Sequence, residues 1–136
     1  VEKEPMLSLC DNDLQDKNYE LIMTSAKSWK SIESHYTDGV RSGRKLEPLL
    51  ELVQLINASS LSTRLYAFTS VDKLIISIYP DIKLDREALH IVFDYYKQKW
   101  EFKYFAKSYQ KPEFVRYYPA EAVLEKFEQF ISMIRW

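Results

Sequence analysis

The sequence predicts an α+β domain: N-terminal helices, an antiparallel β-meander of three to five strands, and a C-terminal helix packed on the sheet. Three observations lead there. Apolar residues recur at helical spacing between residues 29 and 57 and again after Pro119, which marks amphipathic helices. Between Ile91 and Tyr118, eleven of the twenty aromatic residues fall in a glycine-free stretch of alternating side chains, the pattern of strands with one dry and one exposed face. The order of elements, helices then meander then helix, is that of a sheet with helices over one face.

The first 23 residues have an acidic centre and no sustained period. They read as an arm that docks through Leu7, Leu9, Leu21 and Ile22. Thr24 or Ser25 is the expected N-cap of the first helix, in which Trp29, Ile32 and Tyr36 share a face. Asp38-Gly39 reads as its terminating turn, and Gly43 as a second flexible point. The chain has only these two glycines, so DGVRSGRK is the most flexible internal loop expected.

The stretch LEPLLELVQLIN forms the second helix, with Pro48 tolerated in its first turn. Leu46, Leu49, Leu50, Val53 and Ile56 make its apolar stripe, and Glu47, Glu51 and Gln54 lie off it. SLSTRLYAF fits either a short helix through Leu61, Leu65 and Phe68 or a strand, and is read as helix. KLIISIY is β-branched and stops at Pro80, which a central strand would not accept.

Leu89, Ile91, Phe93 and Tyr95 then alternate with His90, Val92, Asp94 and Tyr96, and Trp100, Phe102 and Tyr104 with Glu101, Lys103 and Phe105. The first-named residues of each strand form the expected inward set, joined through a KQK hairpin loop. A one-residue change of register would exchange the faces. Glu113–Tyr118 is a further strand. Pro119 is expected to open the last helix, with Val123, Leu124, Phe127, Phe130, Ile131 and Ile134 on one side.

A length of 136 residues, with 46% apolar and 29% charged residues, suits one domain spanning 1–136 with its own core. A formal charge of −1 argues against wholesale nucleic-acid binding. The charge is unevenly placed. Lys97, Lys99, Lys103, Lys107, Lys111 and Arg116 face only Glu101 and Glu113 within residues 97–116, whereas residues 1–38 hold eight acids against four lysines. The lone Cys10 makes no intrachain disulfide, so a reducing cytoplasm is the expected location. The first twenty residues are unlike a signal peptide, and no apolar run reaches the roughly 20 residues of a membrane span.

Catalytic and metal signatures are sparse. One cysteine and two distant histidines offer no zinc spacing, and GVRSG matches no phosphate-binding pattern. Neither a metal nor a cofactor is expected. Asp81, Asp85 and Glu87 read as a solvated turn neutralised by Lys83 and Arg86. His90 and Asp94 share a strand face about 13 Å apart, so an enzyme with a cleft around them needs other partners brought in by loops.

The aromatic–basic segment carries the strongest functional signal. Tyr96, Lys97, Lys99, Lys103, Phe105, Lys107 and Arg116 are the expected partner-binding residues. Tyr96, Lys103, Phe105 and Arg116 on the outward sheet face would also suit a platform for single-stranded nucleic acid. The same residue types make protein–protein hot spots. Core filling accounts for most of the other rings.

The stretches KLEPLLELVQLINASSLSTRLYAFTSVDKLIISIYP and YYPAEAVLEKFEQFISMIRW, with the element order above, resemble small immunity proteins of bacterial polymorphic-toxin and contact-dependent growth-inhibition systems. The resemblance covers residues 25–136. It implies a cytoplasmic, cofactor-free, non-enzymatic protein that neutralises one cognate toxin by direct binding. A nuclease toxin would favour an acidic contact surface in the N-terminal half. A toxin with an acidic surface would favour the Lys97–Arg116 side.

Overall fold

The computed structural model describes residues 24–136 apart from Leu84. The expected arm, with Leu7, Leu9, Leu21 and Ile22, lies outside the described residues, as does Cys10. The elements are β1 (Thr24–Ser25), α1 (Trp29–Arg41), α2 (Glu47–Asn57), a 3₁₀ turn (Ser60–Thr63), β2 (Tyr66–Ser70), β3 (Lys73–Ser77), β4 (Asp81–Ile82), β5 (Ala88–Asp94), β6 (Lys99–Phe105), β7 (Phe114–Pro119) and α3 (Val123–Met133). The fold is α+β, with a five-stranded antiparallel sheet in the order β2-β3-β5-β6-β7. β1 and β4 form a separate two-residue pairing.

Helix α1 starts later than the sequence suggests. Thr24 and Ser25 are drawn into pairing with Asp81 and Ile82, and Ser28 caps the helix by accepting from the Ser31 amide. Asp38-Gly39 is not its end either. The helix runs on to Arg41, and Gly39 is buried in it because a Cβ there would stand 2.6 Å from Leu46 Cδ1. Gly43, at φ 94, is the residue that turns the chain, while the Gly43 amide donates to Val40 and the Arg44 amide to Gly39. In α2 the buried stripe is Leu49, Leu52, Val53 and Ile56, with Leu50 half-buried at its margin.

SLSTRLYAF divides between both readings. The Ser59 hydroxyl accepts from the Leu61 amide and starts a single 3₁₀ turn, after which Tyr66–Ser70 pairs with Lys73–Ser77. Pairing with β3 overrides the local helical spacing. Pro119 ends β7 opposite Lys99 rather than opening α3, which begins only at Val123 after Ala122 turns through φ 57.

Pairing through β5, β6 and β7 places Leu89, Ile91, Phe93, Trp100, Phe102 and Tyr104 on the helix-covered face. Phe102 stands at its centre, with ring centroids 5.1 Å from Tyr118, 5.5 Å from Phe130 and 6.3 Å from Phe127, all near-perpendicular. Such edge-to-face contacts add about 0.5–1.5 kcal/mol each beyond burial. The Trp29 indole donates to Leu65 O at 3.0 Å and ties α1 to the chain entering β2. Tyr95, expected inward, lies beyond the end of β5, and its ring is exposed.

Candidate functional site

Three connections meet at one end of the sheet. The β2–β3 turn is Val71-Asp72, closed by the Ser70–Lys73 pair. The β5–β6 turn is Tyr95-Tyr96-Lys97-Gln98, closed by Asp94 and Lys99. The α1–α2 loop brings Gly43, Arg44 and Lys45 beside both, enclosing a groove of about 430 Å³ with Asp72, Phe93, Asp94, Tyr95 and Tyr96. A second cleft of about 490 Å³ adjoins it through Asp94, with Lys97, Lys99, Glu101 and Tyr117 around a Val92 floor.

Local chemistry shapes each connection. One Asp94 carboxylate oxygen accepts from the Tyr96 and Lys97 amides, both at 3.1 Å, so its carboxylate organises the turn. Gln98 completes the turn at φ 54. Val71 sits at φ 57, a region that a β-branched residue enters only under strain. Val71 is 79% exposed and Tyr96 is 96% exposed. Residues so exposed and so conformationally costly gain nothing from burial in the isolated protein.

The charges at this end do not cancel. Asp72 is ion-paired with Arg44, and Asp94 is engaged by the turn amides. Glu101 has Lys103 at 3.8 Å. Among the described residues Lys45, Lys97 and Lys99 have no carboxylate in ion-pair contact, and the Asp94 carboxylate offsets one of these three charges; the Lys45 ammonium lies 5.1 Å from the Tyr95 ring centroid. The surface therefore presents exposed rings beside a net positive charge, with the aliphatic Val71 on the neighbouring turn.

Of the seven residues the sequence points to, Tyr96, Lys97 and Lys99 belong to this end. Lys103 and Phe105 lie down the sheet on the face away from the helices. Lys107 follows the far end of β6, about 26 Å from Lys99 at the usual strand rise. Arg116 does not lie on the outward face. It pairs with Phe102 and shares the helix side of the sheet, where Nη2 is 4.0 Å from Met133 Sδ. Tyr96 is likewise a turn residue and not part of the sheet surface, because β5 ends at Asp94. The expected outward platform is thus split among three places. Val71, Arg44 and Lys45 were not anticipated, although a valine in a two-residue turn is itself a visible anomaly.

The outward face has its own cluster. Ile75 and Ala88 are buried there with Phe68 against them. His90 packs on Phe105 with centroids 4.4 Å apart, and Lys73 donates to its Nδ1 at 3.4 Å. Burial first, then the charges of Lys73 and Lys103, lower the His90 pKa to about 4. Its imidazole is neutral and hydrogen-bonded to Lys73, while Asp94 is committed to the turn, so the two are not brought together. Among the described residues no three of His, Cys, Asp and Glu converge as a metal site, and no helix is long and apolar enough to cross a membrane.

Compared with protein-family models, with curated proteins and with solved structures, the chain finds no match.

Proposed function

We propose that this chain is a non-enzymatic binding protein that engages a partner of acidic surface through the sheet end carrying Val71, Tyr95 and Tyr96. In line with the sequence resemblance, the partner is a cognate bacterial toxin domain, neutralised by direct binding in the cytoplasm. The observation that carries this reading is the near-complete exposure of Tyr96 beside Lys45, Lys97 and Lys99, with exposed Val71 on the neighbouring β2–β3 turn. Exposed aromatic anchors inside a charged rim are the composition of an interface centre and its border. The surplus cations favour an acidic partner and speed its approach.

The resemblance leaves open whether the toxin is met by acidic or basic surface; this charge distribution supports the basic one. The experiment is to identify the reading frame next to this chain's own and, where it encodes a large secreted protein with a variable C-terminal domain, to co-purify that domain with this chain. Capture that weakens with salt and is lost on Tyr96→Ala supports the proposal. Absence of binding with both proteins folded removes it. Single-stranded nucleic acid, the other sequence-based reading, gains less support, since Tyr96, Phe105 and Arg116 do not form one platform. Retention on oligonucleotides at low salt would restore it.

A further inference from the structure

The sheet has two edges, and they are treated differently. At β2 the Lys27 amide donates to Ala67 O at 2.9 Å, so the chain entering α1 bridges to that edge. At the other edge β7 pairs, among the described residues, with β6 alone. Alternate amides and carbonyls of an edge strand point away from its one partner and offer a template for another strand. Proteins usually blunt such an edge with lysine, an internal proline or a bulge. Phe114-Val115-Arg116-Tyr117-Tyr118 carries one charge, and its proline comes only at the end.

Exposed apolar side chains flank this edge. Tyr117 is 62% exposed on the outward face. On the helix face Met133 of α3 is 41% exposed and touches Arg116. The Met133 contact with Arg116 leaves much of the methionine uncovered. Together with the main-chain groups that no described residue pairs, they outline a strip that a second strand and its side chains would cover.

We infer that the β7 edge pairs antiparallel with β7 of a second copy, about a two-fold axis at Val115. Directly opposed residues in an antiparallel pair share a face, which limits the possible registers. An axis at Arg116 opposes two guanidinium groups. An axis at Tyr117 brings Pro119, which has no N–H, opposite Val115. An axis at Val115 opposes Val115 with itself and sets each Arg116 against Phe114 of the other copy. Arg116 already lies 5.8 Å from its own Phe114 ring centroid, so the cation–π preference is built into the strand. The same register brings Glu113 level with Tyr117 of the other copy and avoids any like-charge pair.

The contact extends one sheet into ten strands and leaves the Tyr96 turn at a different part of the surface. It rests on different observations from the partner-binding proposal, although Tyr117 belongs both to this strip and to the lining of the second cleft. A strip this short covers less than the ~1,200 Å² of total area typical of stable complexes, so the dimer is weak.

Sedimentation velocity of the full chain across a concentration series tests this directly. The mass should rise from 16.2 kDa toward twice that value, with half-conversion at about 10–100 μM, the range expected of a small interface. Val115→Lys, which places two ammonium groups on the axis, should hold the chain at monomer mass. Ser70→Lys on the opposite edge should leave the dimer intact, with circular dichroism reporting the fold of both variants. In a Cys10→Ser background, Val115→Cys should form a disulfide-linked dimer on air oxidation, and Ser70→Cys should not. A monomer at every concentration up to about 1 mM, where only very weak contacts remain, would overturn the inference. So would a dimer untouched by Val115→Lys.

Discussion

Replacing Val71 by glycine should make this protein more stable while weakening its partner binding. Val71 is the first residue of a two-residue hairpin turn and sits at φ 57, while the following Asp72 is not in the positive-φ region. That sequence of conformations calls for glycine at the first position. Holding a residue in a sparsely populated backbone region costs about 1–3 kcal/mol. Glycine removes that cost but enlarges the freedom of the unfolded chain, an opposing effect of about 0.4–1 kcal/mol. The lost side chain matters little in the folded monomer, because 79% of it is exposed; the remaining burial is worth about 0.3–0.6 kcal/mol as a fraction of a fully buried valine. The balance favours Val71→Gly by about 1 kcal/mol. Urea titration should show a higher midpoint at unchanged slope. The same variant should bind the partner more weakly, since it loses an exposed aliphatic anchor. A lower midpoint would refute the strain argument, and unchanged affinity would remove Val71 from the interface.

Three further outcomes follow from groups elsewhere in the fold. Burial and the Lys73 and Lys103 charges keep His90 neutral down to about pH 4, so the unfolded chain binds an extra proton between its ordinary value near 6.5 and that point. Stability should therefore fall as pH drops through this window, by about 3 kcal/mol in total, and His90→Gln should flatten that slope in urea midpoints measured from pH 7 to 4. Tyr36 is fully buried and its hydroxyl has no hydrogen-bond partner among the described residues, so Tyr36→Phe should leave the midpoint unchanged or raise it by up to about 1 kcal/mol. Burial also raises the Tyr36 pKa above the phenol range and lifts that of Tyr104 to about 12, with Glu87 and Glu113 adding to the latter. The unfolded chain then loses these protons first, so stability should decline above pH 10, and less steeply in Tyr36→Phe, as read by circular dichroism. Phe102→Ala should cost about 3–5 kcal/mol, because its ring contacts Tyr118, Phe127 and Phe130 at the centre of the core; calorimetry measures that loss.

Much of this architecture is legible from side-chain period alone. Alternation through Leu89–Phe93 and Trp100–Tyr104 assigns the buried face correctly because those rings have nowhere else to be dry. Tyr95 breaks from the pattern because Asp94 recruits the next amides and ends the strand. Local chemistry also misleads where a distant segment competes. Thr24 and Ser25 are good caps, but β4 takes them into a strand pair. Gly39 looks like a turn residue, yet close packing against Leu46 explains it. Leu61, Leu65 and Phe68 have helical spacing, yet β3 takes Tyr66–Ser70 into a strand pair.

The site was legible in the same partial way. Tyr96, Lys97 and Lys99 are contiguous with the aromatic run and could be named from it. Lys45 and Val71 reach the same end through the topology of two other loops, which no local pattern contains. Arg116 was assigned to the opposite face because the strand register that pairs it with Phe102 is set by the β6–β7 connection.

The central claim is that the exposed ring of Tyr96, set among surplus cations, anchors an acidic protein partner. Isothermal titration of the wild type and Tyr96→Ala with the proposed partner, a toxin domain encoded in the adjacent reading frame, tests it most directly. Tyr96→Ala should weaken binding by about 30-fold or more, the size of a hot-spot loss of 2 kcal/mol, with wild-type affinity falling as salt rises. Equal dissociation constants for the two folded proteins, or no wild-type binding at all, would contradict it.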